Sequence, residues 1–463
     1  MPYHSNSNST ELNRRHVLQA LLGASAAWAA PMAFAQNARV SQSDGRLVVV
    51  FLRGAYDGLS ALVPHGDTHY YALRPSIALP RPDGTAQTTL LLDDTFGLHP
   101  ALAPLMPLWK QGVLSALPAA GSPDPTRSHF DAQHHWEIGI PGKSSNAAGW
   151  MNTLAGFLSG NFAGFKAVTP DSTAHTAIKS IAIGVGEANP QILSGSAPVQ
   201  LVARGQAATR QGAVGDERTR DAVMRLYAGQ DDLSRAFRAG ADSRMQTAKT
   251  LSNAMAESAM AEPAMGGSEM EKNGPSIGPD MSREMQAANN GAGTAQGLLL
   301  DAQHLGTLMR QDRRLRLGFL SAGGWDTHAN QGSVTGALAN NLGNLAATLV
   351  QLRRDFSQAN DVVVVCSEFG RTSAENGTRG TDHGHGNAMW IMGNKVNGGR
   401  VHGGWTGLAQ GNLHENRDLP VHNDFRGVFA QVLRSTQGLA AADIDTLFPG
   451  FAWDRSLDGM LRA

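Results

Sequence analysis

Leu47-Val48-Val49-Val50-Phe51-Leu52 is an unbroken apolar run with four consecutive aliphatic residues before its Phe. It reads as a strand buried on both faces, the pattern of a parallel sheet covered by helices. Similar runs recur at Val113-Leu114-Ser115-Ala116-Leu117, Ile181-Ala182-Ile183-Gly184-Val185 and Asp361-Val362-Val363-Val364-Val365-Cys366. Leu315-Arg316-Leu317-Gly318-Phe319-Leu320 is a weaker strand, and Met389-Trp390-Ile391-Met392 adds a sixth. Helices separate them. His99 to Gly112 reads as a helix despite its internal prolines, and Asp424 to Leu433 as a closing helix. Leu338, Leu342, Leu345, Leu349, Leu352 and Phe356 recur at steps of four and three, which lays one apolar stripe along a helix. Buried strands alternating with helices imply an α/β fold: a three-layer α/β/α sandwich around a mostly parallel sheet.

Composition narrows the function. The 463 residues carry 38 Lys+Arg against 39 Asp+Glu, a net charge of −1. That balance argues against a nucleic-acid partner, which demands a basic excess. The apolar share of 41% and charged share of 17% fit a globular chain. A single cysteine, Cys366, excludes an intrachain disulfide framework and any Cys-rich zinc module. The 53 glycines and 21 prolines put much of the chain in loops, and the 16 histidines stand out.

The first 35 residues read as an address. Asn13-Arg14-Arg15-His16-Val17-Leu18-Gln19 precedes an Ala-rich apolar stretch from Ala20 to Ala33, and Ala33-Phe34-Ala35 supplies a small-residue cleavage site. The stretch is too short and too weakly apolar to span a membrane. Arg14-Arg15 resembles a twin-arginine signal, from which Asn13, Val17 and Gln19 depart; the other reading is an ordinary secretory signal. The expectation is a folded chain handed to the twin-arginine export machinery, with residues 36–463 as one periplasmic or secreted domain and no stable membrane span. Within it, residues 253–296 repeat Ala-Met-Ala-Glu at Ala254 and Ala259, continue with Met265 and Met270, and then turn to Gly, Ser, Pro and Asn. A five-residue step fits neither helix nor strand. The segment reads as a flexible surface insertion rather than as a thioether copper site.

Ligands of an open parallel sheet bind beyond the carboxyl ends of its strands. Chemistry-bearing residues cluster at those places: Arg53-Gly54-Ala55-Tyr56-Asp57-Gly58, Thr126-Arg127-Ser128-His129-Phe130-Asp131, Gly323-Gly324-Trp325-Asp326-Thr327-His328, Ser367-Glu368-Phe369-Gly370-Arg371-Thr372 and Gly380-Thr381-Asp382-His383-Gly384-His385-Gly386. Each has a plain alternative. Asp57 and Asp326 suit turns, Ser128 suits a helix N-cap, Glu368 and Arg371 suit an ion pair, and His383 with His385 suit an exposed turn. Together they suit a shared cation: Asp57, Asp326, His328, Asp382, His383 and His385 as ligands of one or two divalent ions (zinc, manganese or calcium), with Glu368 in contact with the ion or just behind its ligands. Ser128 would then attack or orient, with His129 as a further catalytic candidate. The forked donors of Arg53, Arg127 and Arg371 would hold an anionic ester. No GxxxxGK[ST], no GxGxxG after the first strand and no GxSxG elbow occurs, which disfavours nucleotide binding and serine-esterase chemistry.

These five motifs, in this order, resemble the domain-of-unknown-function family "fifteen-oh-one", exported proteins within the alkaline phosphatase/sulfatase superfamily. The resemblance runs from Leu47 to the closing helix and leaves out the Met-rich segment. It implies an alkaline-phosphatase-like sandwich with a metal site at the strand ends. In that frame Asp57 matches a metal-binding carboxylate, Ser128 lies where the nucleophile is expected, and Asp326 with His328 corresponds to a later ligand pair. Glu368-Phe369-Gly370 stands where phosphatases and sulfatases often carry Asp-His-Gly, so one imidazole is missing there. Asp382, His383 and His385 are its candidate replacements. Ser128 also lacks the Cys/Ser-x-Pro-x-Arg setting of formylglycine sulfatases. The expected function is hydrolysis of phosphate or sulfate esters; the alternative is a non-catalytic periplasmic binding or assembly protein on the same fold.

Overall fold

The computed structural model describes residues 45–160, 180–187, 189–261, 286 and 288–462. The leader expected over residues 1–35 and most of the Met-rich segment lie outside them. Strands in chain order are β1 (Leu47–Leu52), β2 (Leu62–Val63), β3 (Leu90–Leu91), β4 (Gly97–Leu98), β5 (Leu114–Gly121), β6 (Ala182–Val185), β7 (Val199–Val202), β8 (Gly293–Thr294), β9 (Leu317–Gly323), β10 (Val362–Cys366), β11 (Asn387–Gly393) and β12 (Asn423–Asp424). Among the described residues, nine of these form one sheet in the order β12-β5-β11-β10-β1-β9-β6-β7, with β8 paired to β9; β2, β4 and β3 make a small second sheet.

β1 is the centre of the large sheet. It runs parallel to β10, with Val48 opposite Val363, and parallel to β9, with Val48 opposite Gly318. All six of its side chains are buried. Strand alternation divides them between two cores. Val48, Val50 and Leu52 pack with Leu305, Leu342, Leu345 and Leu349 on one face. Leu47, Val49 and Phe51 pack with Trp136, Trp150, Phe425 and Phe429 on the other. Helices Leu298–Gln311 and Ala337–Asp355 cover the first face; His129–Ile138, Trp150–Gly160 and Phe425–Gln437 cover the second. The three-layer α/β/α arrangement follows. Each fully buried Val, Leu or Phe contributes roughly 1.5–3 kcal/mol, which is why a six-residue apolar strand sits at the middle and not at an edge.

Local chemistry sets the element ends. The stripe from Leu338 to Leu352 lies wholly in the helix Ala337–Asp355 and is buried throughout. The closing helix starts one residue after Asp424, whose carboxylate accepts from the Arg426 N–H, and ends at Gly438 in the left-handed region, φ 70°. The segment from His99 splits into a 3-10 turn, Pro100–Leu105, and a short helix, Met106–Lys110. Pro104 and Pro107 have no N–H to give to a continuous ladder. The helix Asp232–Ala261 extends through the first Ala-Met-Ala-Glu repeat. No helix among the described residues is long and apolar enough to cross a membrane.

One strand reverses. β11 is antiparallel to both β10 and β5. Antiparallel neighbours need no crossover helix, so the chain leaves β10 at Cys366, loops, and returns at Asn387 on the same edge. Residues 367–386 therefore hang over the carboxyl ends of β1, β5, β9 and β10.

Candidate metal centre

Four side chains from three of those strand-end segments meet. His129 is the first residue of the helix after β5, behind the N-cap Ser128. Asp326 and His328 follow β9, and His383 comes from the loop before β11. The Nε2 atoms of His129 and His328 each lie 3.0 Å from Nε2 of His383. Asp326 is the hub: its Oδ1 is 3.0 Å from His328 Nε2 and 3.2 Å from His383 Nε2, and its Oδ2 is 3.5 Å from His129 Nε2. His129, Asp326 and His383 each offer one ligand atom, all within 4.8 Å of one another, and so could hold a metal ion.

The other ring nitrogens explain how the cluster is aimed. His129 Nδ1 bonds Glu368 Oε1 at 2.7 Å, His328 Nδ1 bonds Asp382 Oδ1 at 3.1 Å, and His383 Nδ1 bonds the Arg127 carbonyl at 2.9 Å. A carbonyl or carboxylate oxygen accepts, so each Nδ1 carries the hydrogen and each Nε2 presents a lone pair in the neutral ring. Three lone pairs and a carboxylate thus point at one another. Asp326 Oδ2 is buried with no hydrogen-bond partner. A cation would satisfy all four donors, and an outward partner on each imidazole is the usual support of a metal-binding histidine. The residues therefore fit a divalent ion.

Glycine permits the approach of these loops. Gly54 has φ 109°, and a Cβ there would lie 2.8 Å from the Asp326 amide nitrogen. Gly370 bonds through its N–H to the His385 carbonyl at 2.8 Å and accepts from the Gly384 N–H at 2.8 Å; a Cβ on Gly370 would overlap the Gly386 carbonyl. Two backbones pressed together in this way carry His383 inward.

Electrostatics follow from the same contacts. Burial works against a charged Asp326, yet in the metal-free chain the nearby imidazoles of His129, His328 and His383 and the Arg371 guanidinium outweigh it and hold the carboxyl far below its usual range. Burial likewise opposes charge on His129, but its bonds to Asp326 and Glu368 push it up to about 9 in the metal-free chain. Glu368 is fully buried; against that burial, the bond from His129 and the amide of Gln133 bring it down to about 2. Its Oε1 also accepts from the Gly54 N–H at 2.8 Å.

Several expected site residues stand elsewhere. Asp57 lies apart from the cluster: Arg74 takes its Oδ2 at 2.5 Å and its Oδ1 at 3.0 Å, and Ser60 and Gln331 also bond it. Arg53 is sealed from any anion, with 0% exposure, by Glu187 at 3.0 Å, Glu137 at 2.8 Å and Gln133 at 2.7 Å. Arg127 is spent on Glu415 at 2.5 Å and Asp418 at 2.7 Å. Arg371 adjoins the cluster but is turned onto Asp326 Oδ1 at 2.5 Å and onto Thr381. Ser128 is exposed and serves as the N-cap, its Oγ accepting from the Asp131 N–H at 3.3 Å. Asp382 and Glu368 stand behind the imidazoles as hydrogen-bond acceptors. His385 does not join His383. The chain bends at His385, which breaks the two-residue alternation of an extended strand, and its ring packs against His414 at 4.4 Å between centroids.

His129 sits among the candidate metal donors, facing Asp326 and His383. Its position was legible only as the residue after a cap. Gln133, Arg74 and Gln331 carried no signal at all, because each acts on a residue far away in the chain.

No curated protein matches the chain significantly in sequence. Among solved structures, the fold is similar to that of alkaline phosphatase from the Antarctic bacterium TAB5, at 10% identity and a TM-score of 0.33, over 86% of this chain and 100% of that one. A mutant of the same enzyme with magnesium in its M3 site matches at 12% identity and a TM-score of 0.30, over 86% of this chain and 99% of that one. Residues 44–448 match the family model DUF1501, described as a protein of unknown function, and the chain belongs to that family.

Proposed function

We propose that this protein is an exported, metal-dependent hydrolase of phosphate or sulfate esters. It would work with one divalent ion held by His129, Asp326 and His383, with His328 as a fourth donor on the exposed side. The observation that carries the reading is the convergence of three Nε2 lone pairs on Asp326 while every Nδ1 is occupied. A bound zinc, manganese or calcium ion would polarise an ester oxygen and lower the pKa of a water. The chain's own residues do the positioning. Glu368 and Asp382 fix two imidazole planes, the Arg127 carbonyl fixes the third, and Arg371 orients the Asp326 carboxylate while adding positive charge beside it. The side chains of His328 and Asp382 are 22% and 56% exposed, so an ester arrives from their side. With Asp57 committed to Arg74, this cluster is a one-ion centre.

The second reading, a non-catalytic binding or assembly protein, draws on one finding: Arg53 and Arg127 are both neutralised by carboxylates and offer no arm to an anion. The test is a panel of phosphate and sulfate esters offered to untagged protein before and after chelation. Hydrolysis that disappears with the chelator and returns with zinc, manganese or calcium is the expected result. A folded, metal-loaded chain that turns over none of the panel would favour the second reading.

Glu368 gives a finer check. Glu368→Gln keeps the shape but removes the charged acceptor behind His129. It is expected to weaken metal binding about 10–100-fold, measured by competition with a chromophoric chelator. Unchanged affinity would make Glu368 a support of the fold alone.

A further inference from the structure

Two residues near the end of the Met-rich stretch are held against the back of the metal centre. Ala288 and Asn289 fall inside residues 253–296, which the sequence reads as a surface insertion, yet Ala288 has 0% exposure and Asn289 is half-buried. The Ala288 carbonyl accepts from Gln133 Nε2 at 2.6 Å, and Asn289 Oδ1 accepts from the Gly324 N–H at 2.8 Å. A Cβ on Gly323 would overlap Asn289 Oδ1, so glycine there is what admits the side chain.

Each contact leads to one half of the centre. Gln133 lies one helical turn beyond His129 on the same helix and is 1% exposed. Its Nε2 also donates to Glu368 Oε1 at 2.9 Å, the oxygen that accepts from His129 Nδ1, and its Oε1 accepts from Arg53 at 2.7 Å. Arg53 only donates and the Glu368 carboxylate only accepts, which leaves the amide one orientation. Arg53 is itself pinned by Glu137 and Glu187, at 2.8 and 3.0 Å. On the other side, Asn289 grips the Gly324 N–H, two residues before Asp326, and Asn341 Nδ2 holds the Gly324 carbonyl at 2.8 Å. Gly324 has φ 88°, and the chain turns there from β9 into the Asp326 loop.

We infer that Gln133 and Asn289 are positioning residues of the metal centre, and that docking of the 288–289 segment and loading of the ion stabilise each other. Their role rests on the reading of His129, Asp326 and His383 as ion ligands. Such ligands grip an ion only when held at fixed separations, and the groups behind them set those separations. Gln133 fixes Glu368 and, through it, the His129 ring. Asn289 fixes the turn that delivers Asp326. Ala288 and Asn289 are adjacent, so one short segment braces both sides at once. Coupling of this kind is reciprocal: an ion that favours the braced arrangement also favours the docked segment.

Cobalt and zinc binding to the untagged full chain after chelation test this, with unfolding midpoints measured with and without metal. Asn289→Ala and Gln133→Met are expected to weaken ion binding about 10-fold, the lower end for groups behind metal ligands, and to shrink the metal-induced rise in the midpoint. Both should also shift the cobalt absorption bands, which a loss of fold stability alone does not do. Asn289→Asp keeps an acceptor for the Gly324 N–H and should bind close to wild type. Asn152→Ala is the control. It removes a buried amide that bonds the Leu193 and Ala197 carbonyls at 2.9 Å each, and it should lower the midpoint while leaving ion affinity unchanged. Should Gln133→Met fail to fold, the two variants at half-buried Asn289 decide the question. Wild-type affinity and spectrum in Asn289→Ala overturn the positioning role and leave the metal centre standing. A loss in Asn289→Asp equal to that in Asn289→Ala overturns it too. A folded wild type that binds neither metal overturns the centre and the positioning role together.

Discussion

Asp326→Ala is expected to remove the ion from the histidine cluster and to lower ester hydrolysis by about 10³-fold or more, roughly 4 kcal/mol of transition-state stabilisation. The size follows from geometry. Asp326 places carboxylate oxygens within 3.5 Å of all three imidazole Nε2 atoms, and it supplies negative charge that would draw a cation there. Its loss also leaves Arg371 facing three imidazoles with no carboxylate between them. His383→Ala serves as the parallel variant, because that ring is partly buried and its Nε2 lies 3.2 Å from the same carboxylate. Both should lose metal and turnover together. Ser128→Ala is the contrast: it removes an N-cap worth about 1 kcal/mol and should keep the ion. Metal content by elemental analysis and steady-state rates decide the matter. Turnover that survives in Asp326→Ala would end the assignment of hydrolysis to this metal centre.

Arg74→Met should destabilise the fold by about 3–5 kcal/mol, because it strands Asp57 as a buried, unpaired charge. Both partners have essentially no exposure, and Arg74 also donates to the carbonyls of Ser373 and Thr372 at 2.9 and 3.0 Å. Denaturant melts of the two proteins measure the loss. The pH dependence has a definite sign. Burial opposes charge on Asp57, but Arg74, Ser60 and Gln331 bring its pKa below the usual value. A depressed acid stabilises the native state above its unfolded pKa of about 4, and that contribution fades as pH falls through the folded value. The gap between wild type and Arg74→Met should therefore be widest near neutrality and narrow in acid. Zinc uptake should be unchanged in Arg74→Met. If uptake falls by one ion, Asp57 belongs to a metal site after all.

The extent to which the site was readable varies with the range of the interaction. The strand-end and loop motifs singled out His328, Asp326, His383, Glu368 and Asp382, and the fold brings these five together. Their division into donors and supporters was not readable. Whether a carboxylate touches an ion or the back of an imidazole depends on about one bond length, and no spacing in the chain encodes that. The three arginines show the same limit. Forked donors beside glycine look available for an anion until the fold supplies Glu137, Glu187, Glu415 and Asp418 from distant segments. His385 lies apart from His383 for a local reason: the chain bends there.

The apolar run at Leu47–Leu52, the stripe from Leu338 to Phe356 and the glycine-flanked polar motifs are enough to specify a helix-covered sheet with its chemistry at one edge. Burial of apolar surface is a property each segment carries within itself. The partners of Asp57, Arg53, Ser128 and His385, the reversal of β11 and the meeting of His129 with Asp326 and His383 arise only when segments tens to hundreds of residues apart are brought within hydrogen-bond reach. Charge pairing and metal ligation act over a few ångströms in space, and the order of residues along a chain does not state which distant groups will share that space.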